Sequence, residues 1–123
     1  MRKFRYLSVL LFLVALPLLA ADHKANVYAR ATKLAAILED AQTSATITSP
    51  AWKTVANEAH YLSNMIMSDT SSHAAHELAR DARTHVRLMR TAAGNGDAAT
   101  AKAEAKLALE PVAKLIDWSA PAK

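Results

Sequence analysis

Residues 73–97 read HAAHELARDARTHVRLMRTAAGNGD, and two periodicities run through them at once. Ala75, Leu78, Ala82, His85, Met89 and Ala92 recur at alternating steps of three and four, widened by Ala79 and Val86. That spacing lines up one apolar face of an α-helix. His73, His76, Arg80, Arg83, Arg87 and Arg90 recur at the same steps and form a second, basic stripe, expected opposite the apolar face. The run stops at Gly94-Asn95-Gly96, the glycine chemistry of a helix end and a turn. Asp97 stands ready to cap the helix that follows.

The same alternation extends in both directions. Downstream, Ala98, Ala101, Ala105, Ala108, Val112 and Leu115 form the seam of a further helix, with Leu109 and Ile116 beside it. Pro111 falls inside that helix, pointing away from the seam, and removes the bond to the Leu107 carbonyl, so a kink that keeps the core covered is expected. Upstream, Trp52, Val55, Ala59, Leu62 and Ile66 repeat the pattern after Ser49-Pro50, an N-cap followed by a proline at the first helical position. The break at Ser68–Ser72 separates this segment from the basic one. Earlier still, Val27, Ala31, Leu34, Leu38 and Ala41 step along one face, and Thr43–Thr48 reads as a loop. No period-two strand pattern competes. Four amphipathic segments joined by short polar breaks predict an all-α, antiparallel up-down-up-down four-helix bundle over residues 22–123. A three-helix arrangement with the second and third segments fused is the structural alternative.

Residues 1–21 read differently. Arg2, Lys3 and Arg5 precede an apolar stretch from Tyr6 to Leu16, and Leu18-Leu19-Ala20-Ala21 leads to the first acidic residue. This is the three-part layout of a signal peptide cleaved after Ala20 or Ala21. The apolar run falls short of the roughly 20 residues that span a bilayer, although an uncleaved anchor is the rival reading. The expected location is periplasmic or secreted, and with no cysteine anywhere there is no lipid-attachment site. No transmembrane segment is expected in the mature chain.

Export changes the charge argument. The full chain of 123 residues carries +4, but twelve Lys or Arg against eleven Asp or Glu remain from Asp22 onward. A nearly neutral mature protein gives no reason to expect a nucleic-acid partner. Absent cysteine excludes disulfides, thiolate metal sites and covalently attached haem. Two glycines exclude a phosphate-cradling loop. No Glu-x-x-His pair, zinc-binding His-Glu-x-x-His or nucleophile elbow is present, so no catalysis is expected.

Two constellations remain. Arg80, Arg83, Arg87 and Arg90 present forked donors suited to carboxylates or phosphates. Their expected partner is an acidic protein or an anionic envelope surface, and the bland alternative is a solvated helix face. Met65, Met67, Asp69, His73 and His76 gather around the second break, and thioether and imidazole donors suit copper or nickel. Here the alternative is two methionines filling gaps at the bundle end beside solvated histidines. His85 sits on the seam, where a hairpin register brings it near Trp52 and Val55 or near Ala105. The core is thin: 25 alanines from Asp22 onward stand against 23 larger apolar residues. A second copy or a bound partner would supply the missing burial.

An exported, cysteine-free chain in four helices, with Ala92-Ala-Gly-Asn-Gly-Asp97 between the last two, resembles two kinds of small periplasmic bundle. These are the soluble b-type cytochromes and the small His-rich metal-binding bundles. The first resemblance implies the bundle fold. It implies haem only with a methionine on the first helix and a histidine on the last. Residues 22–45 contain no methionine and 97–118 neither residue, so haem held in that way is not expected. The second resemblance implies metal binding through His73-Ala-Ala-His76, with far fewer histidines than those bundles carry.

Overall fold

The computed structural model describes residues 22–122, so the signal-peptide expectation for residues 1–21 lies outside the described residues. Four helices account for most of it: α1 Lys24–Thr43, α2 Pro50–Ser68, α3 His73–Gly94 and α4 Ala98–Ser119. There is no strand among the described residues. Helix α1 packs against α2 and α4, α3 packs against the same two, and the diagonal pairs stay apart. Among the described residues no helix is long and apolar enough to cross a membrane.

Each boundary has a local cause. Ser49 caps α2 by accepting from the Trp52 N–H at 3.4 Å, with Pro50 at the first position. Helix α3 ends in a paired return: the Gly96 N–H bonds the Ala93 carbonyl at 3.2 Å and the Asp97 N–H bonds the Ala92 carbonyl at 2.9 Å. That geometry requires a left-handed residue, and Gly96 supplies it with φ +79°. Asp97 then accepts from the Thr100 N–H at 3.1 Å and starts α4. At the other end of α3, Ser72 makes no side-chain cap. Asp22 does so from across the fold, its carboxylate accepting from the backbone N–H groups of Ser71 and Ser72. Burial alone would raise the Asp22 pKa, but those bonds outweigh it and hold the carboxyl at about 2.

Every expected seam residue of α1 is fully buried. The other seams turn slightly. On α2, Ala56 and Ser63 join Ala59, Leu62 and Ile66 inside, while Trp52 and Val55 are half-buried. On α3 the centre is Ala75, Ala79, Ala82, Val86, Met89 and Ala93, and Leu78 and His85 move to the flank. Alanines at the centre let helix backbones approach closely, and the bulkier side chains at neighbouring positions then fit only at the edges. Pro111 is buried rather than turned away, and α4 runs through it from Ala98 to Ser119. The loop after α1 is anchored by Ile47, which is 2% exposed and part of the core.

Candidate functional site

Helix α3 has a core face with a polar flank on each side. With about 100° between successive residues, Arg83 and Arg90 stand some 60–80° from the centre of the buried face. Arg80 and Arg87 lie further round, at about 120–140°. The stripe therefore runs from the edge of the core, at the half-buried Arg83 and Arg90, round to the exposed face opposite it, at Arg80 and Arg87. An alternating three-four repeat drifts round the helix, and the true core centre is turned away from Leu78 and His85. The stripe borders α2 and lines the groove between the two helices.

Inside that groove the polar groups are under-satisfied. Arg83 is half-buried, its Nη1 donates to the Met67 sulfur at 3.5 Å, and its Nε is buried with no partner. The Nδ1 of His60, on the α2 side, is likewise buried and unpartnered. Burial lowers the His60 pKa, and the positive charges of Arg90, Arg83 and Arg87 lower it further. Arg80 reaches Glu77 at 3.4 Å in an exposed pair. Arg83, Arg87 and Arg90 have no carboxylate within ion-pair distance among the described residues.

The groove ends in a cleft of about 420 Å³ between the loop at 47–49, the start of α2 and the end of α3. Ile47, Ala56 and Ala93 form its floor, and Lys53, Asn57 and Arg90 reach it from the two helices. Lys53 and Asn57 were not singled out from sequence. They follow Ser49-Pro50 at the positions of α2 that turn toward α3, and only the pairing of the helices reveals it.

The other flank of α3 pairs its polar groups within the fold. His85 Nδ1 meets the Glu104 carboxylate of α4 at 2.6 Å, and Nε2 lies 3.5 Å from Asp81. The hairpin register pointed to Ala105, one residue away from the actual partner.

Three of the five candidate metal ligands have protein partners of their own. Asp69 is ion-paired with Arg30 of α1. The Met67 sulfur accepts from Arg83, and His76 Nδ1 lies 3.4 Å from the Thr70 hydroxyl. Met65 is half-buried about 160° round α2 from Met67, and His73 is exposed. No side-chain hydrogen bond or ion pair joins any two of the five, and the described residues contain no group of three or more His, Asp or Glu placed to hold a metal ion.

Set against protein families, curated proteins and solved structures, the chain matches none of them.

Proposed function

We propose that this chain is an exported, non-catalytic binding protein that holds an acidic segment of a partner protein in the α2–α3 groove. One observation carries the reading: Arg83, Arg87 and Arg90 stand together without a carboxylate, while the opposite flank of the same helix has two. Uncompensated like charges repel, and an acidic ligand relieves that repulsion as it binds. The half-buried Arg83 and Arg90, between two helices, suit a narrow chain better than the flat surface of a bilayer. The cross-helix contacts support the antiparallel up-down order that such a groove needs. Arg30 pairs with Asp69, Lys33 with Glu58 at 2.7 Å, and Lys24 stacks 4.7 Å from the Trp118 ring. The copper or nickel alternative has less behind it, because Asp69, Met67 and His76 already hold protein partners.

The test is the triple variant Arg83→Gln, Arg87→Gln, Arg90→Gln, with binding to a fluorescent oligoglutamate peptide followed by anisotropy. Exposed charge pairs contribute up to about 1 kcal/mol each, so affinity should fall about 10- to 100-fold and lose most of its salt dependence. Equal binding by the wild type and the variant would overturn the reading. Tight wild-type association with phosphatidylglycerol vesicles but not with the peptide would replace the protein partner with a membrane surface.

A further inference from the structure

The cleft at the end of the groove has a composition of its own. Its floor is apolar and closed: Ile47 and Ala56 are each 2% exposed and Ala93 6%. Its walls carry two cations from different helices, Lys53 and Arg90, and neither has a carboxylate partner among the described residues. Thr48 and Asn57 add polar groups whose side chains make no hydrogen bond with another described residue. A volume of about 420 Å³ falls in the range of small-molecule sites, roughly 300–1,000 Å³. Water alone satisfies such cations, but it gains nothing from the apolar floor. A ligand with a charged head and a short hydrocarbon body uses both.

We propose that this cleft binds a small organic oxyanion, a carboxylate or phosphate ester on a short apolar body, with Lys53 and Arg90 on its head and Ile47, Ala56 and Ala93 under its tail. Two cations converging from separate helices match the spread charge of an oxyanion, and the Arg90 fork adds a two-point contact. The site shares only Arg90 with the groove proposed for the acidic partner. Arg83 and Arg87 belong to the groove alone, whereas Lys53 and Gly94 belong to the cleft alone.

The experiment is a two-dimensional NMR titration of the protein with hexanoate and with n-butyl phosphate, using hexanol and acetate as controls. Saturable shifts should appear at residues 47–57 and 93–94, at ligand concentrations below about 10 mM. The tighter of the two probes identifies the head group. Hexanol, without charge, and acetate, without a body, should each bind at least about tenfold more weakly. Lys53→Gln should weaken binding by about tenfold or more. Gly94→Leu keeps every charge and should block the cleft, since a Cβ there meets nothing within 4 Å and the position is free to accept a side chain. Unchanged helix content by circular dichroism shows that either variant has folded. Arg87→Gln should leave oxyanion binding intact while weakening the acidic peptide, so the two readings fail separately. The absence of saturable shifts with both probes would overturn the proposal. So would equal binding of hexanol and hexanoate, or full affinity in Lys53→Gln.

Discussion

The two flanks of α3 solve the same problem in opposite ways. Toward α4, His85 sits between Asp81 and Glu104, and the polar groups of that edge find partners within the fold. Toward α2, Arg83, Arg87 and Arg90 crowd His60, and two buried nitrogen atoms lack partners. The α4 side is also where the backbones pack most extensively. One helix thus joins a self-sufficient interface to one that is electrostatically incomplete. An interface that completes its own charges serves the fold, and one that leaves them open is the better place to seek a ligand.

The largest effect should come from disturbing the complete side. Ala105 is fully buried on α4, and Ala105→Leu forces extra volume into the core beneath that helix. Overpacking of this kind costs about 1–3 kcal/mol. The midpoint of urea denaturation should fall accordingly, whereas Arg87→Leu, on an exposed position of the other flank, should leave it nearly unchanged. Equal losses would mean that the two flanks are equally tight.

A sharper contrast is one of sign. Glu104→Gln removes the carboxylate facing His85, and a hydrogen bond to a charged group is worth about 1.5–3 kcal/mol at most, less where water screens it. Stability at pH 6 should drop by about 1 kcal/mol. Arg83→Met deletes the orphaned Nε, keeps an unbranched side chain against Met67 and lowers the repulsion at His60. Because an unsatisfied buried polar atom costs about 1–3 kcal/mol, this variant should be more stable than the wild type by about 1 kcal/mol while binding acidic peptide less well. Denaturation of both variants beside the wild type checks the pair of signs. Destabilisation by Arg83→Met would show that the arginine is structural.

These flanks mark the limit of what could be read from the linear chain. The helices, their caps at Ser49 and Asp97 and the stop at Gly94–Gly96 were all legible, because each depends on chemistry within a few residues. The α1 seam was legible too, since Val27, Leu34 and Leu38 leave one face to choose. On α3 the abundance of alanine made neighbouring faces almost equally apolar. The pattern admitted His85 and Leu78 to the core and set the arginines opposite it. Ala79 and Val86 were on that face already, and only packing against the neighbouring helices makes them, with Ala93, its centre. For the candidate site, the arginines could be named but their companions could not. His60, Lys53 and Asn57 approach Arg83 and Arg90 through helix pairing, which leaves no trace in local spacing. Asp22 capping α3 is non-local in the same way.

The smallest effect is the most specific. His60 has its pKa lowered first by burial and then by Arg90, Arg83 and Arg87. In the unfolded chain the ring takes up a proton near its ordinary value of 6.5, while in the folded protein it resists doing so until lower pH. Folding stability should therefore decline as pH falls through about 6.5, and the decline should level off once pH drops below the folded value. An imidazole NMR titration in the Arg83→Gln, Arg87→Gln, Arg90→Gln background separates the two causes. Because burial is the larger, the His60 pKa should rise only part of the way toward 6.5. Saturating the wild type with oligoglutamate should move it in the same direction, since carboxylates in the groove offset the same three charges. A His60 that ignores both the substitutions and the peptide would mean that the arginine charge is dissipated into water, and the two flanks of α3 would then differ in packing alone.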